Sequence, residues 1–126
     1  MGFIITGHRT FASGPEEGDD WWQRGSSVEA DLRGLVEGED GTLEFVPHVW
    51  TGDNSETARR LAGAALSVRM EAFERSGEPY CLLGHSHGGS VVLSALLQRA
   101  VRGSKIDALS RWITIGTPFI AFSRKW

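Results

Sequence analysis

The chain has 126 residues, of which 40% are hydrophobic and 23% are charged, proportions that are typical of one globular domain. The formal net charge of −3 and the pI near 5.8 argue against a nucleic-acid partner. Because there is a single cysteine, Cys81, a disulfide framework is excluded. No apolar run approaches the roughly 18 residues of a membrane span, and no signal peptide is recognisable. We therefore expect one soluble, cytoplasmic domain over residues 1–126.

Short apolar runs alternate with longer amphipathic runs, a pattern that indicates βαβ units and a parallel sheet. The first predicted strand covers residues 3–6, and a loop follows from His8 to Arg24. Ser26 or Ser27 is expected to cap a helix that runs to about Val36. The predicted inner face of this helix consists of Val28, Leu32, Leu35 and Val36.

The middle of the chain predicts a second strand and a second helix. The strand covers Leu43 to Trp50, and its Pro47, which cannot donate a ladder hydrogen bond, places it at a sheet edge. The helix opens at Ser55 and runs to about Arg75. Its predicted inner face consists of Ala58, Leu61, Ala62, Ala65, Leu66 and Met70.

The last third predicts a buried strand over Tyr80–Gly84, a helix over about residues 87–101 and a fourth strand over Trp112–Ile115. The predicted fold is α/β, a three-layer sandwich with a four-stranded parallel sheet in the order 2-1-3-4. The fourth strand would then form an apolar edge, which a partner chain or a further carboxyl-terminal segment would cover.

Ser86 lies in the run Gly84-His85-Ser86-His87-Gly88-Gly89, where the third strand turns directly into the third helix. This G-x-S-x-G context is typical of a nucleophile elbow, in which a strained turn exposes a serine hydroxyl at the carboxyl edge of the sheet. Glycine at both ends of the pentapeptide allows the strand and the helix to pack closely. The positive end of the helix then faces the site, and the backbone amide of His87 is the expected first oxyanion donor.

The elbow, followed by Ser90-Val91-Val92, resembles the lipase and esterase branch of the α/β-hydrolases. The segment from Ile113 to Phe119 resembles the strand after the nucleophile helix in that family, and residues 8–11 resemble its oxyanion loop. The resemblance, which runs from Phe3 to Phe119, implies the amino-terminal half of a hydrolase fold. It also implies Ser86 as nucleophile, the backbone of Thr10 as second oxyanion donor and His8 as loop orienter. Arg9 departs from the family pattern, which has glycine there.

In an α/β-hydrolase the serine acts in a catalytic triad with an acid and a histidine, and these two residues are missing from their expected places. In this fold an acid and then a histidine follow the serine, yet only His87 and Asp107 follow Ser86. Asp107 precedes the fourth strand and is therefore expected at the opposite edge of the sheet. His8, at the end of the first strand, is the nearest alternative base, with Asp53 one strand further away. Otherwise the acid and the base come from residues outside this chain.

Two further hypotheses concern the residues around the elbow. His85 and His87 suggest a metal site, but two histidines without nearby carboxylates fall short of the usual three ligands, so we expect no metal and no cofactor. Trp21, Trp22, Trp50 and Phe11 either line an acyl pocket or cover the core. The sequence leaves these last two alternatives open.

The resulting hypothesis is a serine hydrolase that acts on small acyl esters or lipids. Its alternative is a hydrolase-like module without catalysis that binds a lipid or a protein.

Overall fold

Four strands and three helices alternate along the chain in the computed structural model, which describes residues 2–6, 14–37 and 42–118. The elements are β1 (Gly2–Thr6), α1 (Ser27–Glu37), β2 (Glu44–Pro47), α2 (Glu56–Ser76), β3 (Tyr80–His85), α3 (His87–Arg102) and β4 (Leu109–Ile115).

The strands form one parallel sheet in the order β2-β1-β3-β4, which confirms the predicted α/β fold and strand order. Pro47 is the last residue of the edge strand β2, opposite Ile5 of β1, in agreement with its inability to donate to a ladder. In the centre of the sheet, Thr6 pairs with Gly84. The carboxyl ends of β1 and β3 therefore meet at the same rim.

The helices cover both faces of the sheet and complete the three layers. Ile4 and Leu82 belong to a core cluster shared with α2 and α3. Phe3 and Ile5, on the opposite face of β1, belong to a second cluster with Trp22, against which α1 packs. Since successive side chains of a strand point to opposite faces, two such clusters are what buried parallel strands require.

Helix α1 is capped by Ser26, whose Oγ accepts a hydrogen bond from the Glu29 amide at 3.2 Å. Glu29 in turn accepts from the amide of Gly25 at 2.7 Å, an arrangement close to a capping box. Val28, Leu32 and Val36 pack on the core as predicted. The prediction for Leu35 was wrong, because this side chain is 72% exposed. It lies outside the narrow stripe of α1 that meets the sheet.

Helix α2 begins after Ser55, whose Oγ accepts from the Ala58 amide at 3.0 Å, and its burial differs from the predicted face. Ala62, Leu66 and Met70 are buried, but Leu61 and Ala65 are exposed. Small residues replace them on the inner side, chiefly Gly63 and Ser67. A Cβ on Gly63 would lie 2.7 Å from Ser94 Oγ of α3, so α2 turns its small residues toward its neighbour. Helix packing therefore overrode the apolar pattern.

Strand β4 is longer than predicted and is the second edge of the sheet. It pairs with β3 from Leu109 to Ile115, three residues earlier than the predicted start. Trp112, Ile113 and Ile115 are 46%, 39% and 51% exposed, so the predicted apolar edge is confirmed. The apolar residues 119–122 that follow lie outside the described residues. None of the helices in the described ranges is long and apolar enough to cross a membrane.

Candidate functional site

Ser86 has an unusual backbone conformation, with φ 55° and ψ −128°. Among the described residues it is the only one other than glycine with a positive φ. Such angles are typical of glycine in a tight turn, and in another residue they cost about 1–3 kcal/mol. The cost persists only where the surrounding structure enforces it. The corner between β3 and α3 is therefore strained at the residue that the sequence predicts as nucleophile.

The backbone on both sides of Ser86 holds this corner in place. The Ser86 amide donates to the Ile115 carbonyl at 2.8 Å and so ties the corner to the end of β4. The Ser86 carbonyl accepts from the Gly89 amide at 3.0 Å and starts α3. Both backbone groups of Ser86 are thus hydrogen-bonded, so the side chain is the group that can react with a ligand.

Two glycines make the close packing possible. A Cβ on Gly84 would lie 2.5 Å from the nitrogen of Gly89 and 2.6 Å from the carbonyl carbon of Gly88. A Cβ on Gly89 would collide with the side chain of Thr117, in the segment after β4. The need for glycine at 84 thus has the expected physical cause, and Thr117 is packed directly onto the elbow helix.

The side chain of Ser86 is half-buried and forms no capping hydrogen bond to α3. It stands at the amino terminus of the 16-residue helix α3, which begins with His87. An oxygen anion formed next to Ser86 would meet the positive end of this helix dipole. This combination of a hydroxyl and a helix terminus suits acyl transfer.

His85, one of the elbow residues, contacts the loop of residues 14–26. Its ring meets the Trp21 ring edge-on, with centroids 5.4 Å apart and planes at 76°. Trp21 is half-buried, whereas Trp22 and Trp50 are 0% and 7% exposed and belong to the core. Trp22 and Trp50 therefore cover the core, which is one of the two predicted alternatives. Of these three tryptophans, only Trp21 contacts an elbow residue. Phe11 lies outside the described residues.

The candidate acid residues do not gather around Ser86. Asp107 precedes β4, whose first residue pairs with the first residue of β3, so it lies at the amino edge of the sheet as expected. Asp53 is exposed in the segment after β2, and β1 separates β2 from β3. His8, Arg9 and Thr10 lie outside the described residues, so their predicted roles stay predictions.

His48 is a buried polar residue that the sequence analysis did not single out. It follows β2 directly and is only 2% exposed. Its Nε2 donates to the Ala62 carbonyl of α2 at 3.0 Å, and its backbone amide donates to Ile5 at 2.8 Å. The His48 carbonyl accepts from Thr6 Oγ1 at 3.1 Å. One residue thus joins the edge strand, the central strand and α2. The signal in the sequence was a histidine inside the apolar run of the predicted second strand, which indicates a buried polar side chain.

His48 makes the stability of the protein depend on pH. Burial lowers the pKa of its imidazole to about 4, with a further contribution from the nearby positive charge of Arg69, although the hydrogen bond to Ala62 acts in the opposite direction. Between pH 6.5 and 4 the unfolded chain binds a proton that the folded protein rejects, so the free energy of unfolding falls by about 3 kcal/mol as the pH drops through this window.

Urea denaturation at several pH values tests this expectation. In His48→Gln the amide can still donate to Ala62, so the variant is expected to fold at pH 7.5 and to lose much less stability between pH 6.5 and 4.5. Parallel pH profiles of the variant and the parent chain would show that His48 is not the source.

Comparisons of this chain with protein-family models, with curated proteins and with solved structures gave no significant match. The assignment of a function therefore depends on the geometry of the Ser86 corner and on the sequence around it.

Proposed function

We propose that this chain carries the nucleophile elbow of a serine hydrolase that acts on acyl esters, with Ser86 as the nucleophile. The main support is the conformation of Ser86, whose positive φ presents a half-buried hydroxyl at the start of α3. Strain of this kind is concentrated at functional sites, because a merely structural serine would relax into an ordinary turn.

The chemistry follows from this placement. Ser86 Oγ attacks the carbonyl carbon of the ester and gives its proton to a general base. The backbone amide of His87 donates to the oxyanion, and the amide of Thr10 is the proposed second donor. The alcohol leaves with a proton from the same base, and water then releases the acid from the acyl-serine.

The base and its acid partner are the open part of the mechanism. Asp107 is at the opposite edge of the sheet, which removes it as the partner of a histidine at the rim. His8 follows Thr6 by two residues, and Thr6 pairs with Gly84, two residues before Ser86. The base in this proposal is therefore His8 or a histidine that this sequence does not contain.

A fluorophosphonate probe, which reacts covalently with activated serines, tests the proposal. We expect the chain to be labelled and Ser86→Ala to lose the label while keeping its thermal midpoint. Ser110→Ala, at an exposed serine on β4, is the matched control and keeps the label. A folded parent chain that takes no label at high probe concentration would refute catalysis by this chain.

The second candidate is a hydrolase-like module without catalysis that binds a lipid or a protein. Two observations favour it, namely Asp107 at the wrong edge and Arg9 where the hydrolase pattern has glycine. The absence of labelling, together with saturable ligand binding, would support this candidate.

A further inference from the structure

His85 is the last residue of β3 and directly precedes Ser86. Its imidazole meets the Trp21 indole edge-on, and both side chains are half-buried. The Nδ1 atom of His85 is buried and has no hydrogen-bond partner in the part of the chain that the structure describes. The contact with the indole, rather than a hydrogen bond at Nδ1, therefore orients the imidazole.

The loop of residues 14–26 holds Trp21 in a fixed position. The Trp21 carbonyl accepts from Ser26 Oγ at 3.2 Å, and the same hydroxyl caps α1. The next residue, Trp22, is fully buried in the second core cluster. The chain around the two tryptophans is closed into a turn, because the Gln23 amide donates to the Asp20 carbonyl at 2.8 Å. The contact between the indole and the elbow is therefore built into the folded loop.

The two faces of β3 bring different neighbours to the elbow, because successive side chains of a strand point to opposite faces. Gly84 faces α3, and the first turn of that helix would meet any Cβ at this position. His85 faces the other side of the sheet, as Leu83 does, and it meets Trp21 there. The corner that contains Ser86 is thus held between a helix on one face and a folded loop on the other.

We propose that Trp21 is a positioning residue of the elbow, which acts through His85 to hold Ser86 in its strained conformation. A positive φ in a residue other than glycine persists only where the surroundings enforce it. Helix α3 supplies this constraint on one face of the sheet, and the contact of Trp21 with His85 supplies it on the other. Without the indole, the corner would relax toward ordinary turn angles. The effect on the reactivity of Ser86 rests on the proposed function, whereas the effect on its backbone conformation does not.

The rate of fluorophosphonate labelling and the backbone chemical shifts of Ser86, both measured on the full chain, test this role. In Trp21→Ala we expect labelling to slow about tenfold and the Ser86 shifts to move toward those of an ordinary turn, while circular dichroism shows a folded protein. Trp21→Phe keeps an aromatic contact and should stay within about threefold of the parent rate. The matched control is Trp112→Ala, at a tryptophan that is 46% exposed on β4 opposite Leu82, and it should label within about twofold of the parent chain.

A double-mutant cycle separates positioning from a general loss of stability. If Trp21 acts through His85, the double variant should label at the rate of His85→Ala, because the single substitution has already removed the contact. Independent effects of the two substitutions would overturn the proposal, as would a parent-like rate with parent-like Ser86 shifts in Trp21→Ala. A loss in Trp21→Phe as large as that in Trp21→Ala would also overturn it. If the parent chain takes no label, the proposed function fails, and the Ser86 shifts alone then decide whether Trp21 positions the corner.

Discussion

Gly84→Ala is expected to destabilise the protein by at least about 3 kcal/mol and to lower its thermal midpoint by about 10 °C. The added Cβ would lie 2.5–2.6 Å from the backbone of Gly88 and Gly89. No side chain can rotate away, because the obstructing atoms belong to the first turn of α3. Either β3 and α3 separate or the Ser86 corner changes its angles. We therefore also expect any fluorophosphonate labelling of Ser86 to be lost.

Gly34→Ala is the matched control for this prediction. Gly34 lies in the interior of α1, and a Cβ there would meet nothing within 4 Å. Since alanine is the better helix former, this variant should gain about 0.5–1 kcal/mol. Thermal and urea denaturation measure both changes. A Gly84→Ala protein with an unchanged midpoint would show that the strand and the helix are not in close contact at the elbow.

Arg99→Ala is the second large effect, with an expected loss of about 3 kcal/mol. Arg99 is 2% exposed, and its guanidinium donates to the carbonyl of Ser67 at 3.2 Å and to that of Lys105 at 2.7 and 3.0 Å. It also donates to Glu71 Oε2 at 2.9 Å. Removal of the side chain leaves carbonyl groups unpaired next to a cavity in the α2–α3 interface, and both consequences are costly.

Arg75→Ala provides the control on the same carboxylate. Arg75 is 80% exposed on its side chain and contacts Glu71 at 3.2 Å, so only water-accessible charge is lost. Exposed ion pairs contribute little to stability, and we expect its urea midpoint to match that of the parent chain. Equal losses in the two variants would mean that the ion pair to Glu71, rather than the buried carbonyl contacts, accounts for the role of Arg99.

Local patterns in the sequence predicted the elements and the edge position of β2. Alternating apolar and amphipathic runs indicated the βαβ units, Pro47 indicated the edge, and Ser55 marked the start of α2. Such signals are short-range properties of a chain, namely hydrogen-bond capacity, allowed backbone angles and apolar period. They do not depend on distant residues, and this explains why the elements and most helix limits agree with the structure. The strand order, which is also confirmed, was expected from the α/β fold class and from the edge position of Pro47.

Burial on the helices was less predictable. Leu35 and Leu61 have the apolar character of core residues, yet they are 72% and 69% exposed, whereas Gly63 and Ser67 are buried. On α2 the contact with α3 decides this, because small residues let two helices approach more closely than leucines would. Leu35 belongs to α1 and lies outside the stripe of that helix that meets the sheet. His48 and Arg99 show the same limit, since His48 bonds to Ala62, 14 residues away, and Arg99 bonds to Ser67, 32 residues away along the chain.

Some features of the candidate site were predictable from the sequence, and others depend on tertiary contacts. The sequence alone determined the position of Ser86 between a strand and a helix and the need for glycine at 84, because a tight turn between the two allows few residue types. Only the tertiary structure decided that Ser86 has a positive φ, that Thr117 packs on Gly89 and that Trp21 stands beside His85. Each of these depends on contacts between segments that are distant in the chain, and such contacts exist only once the layers have packed.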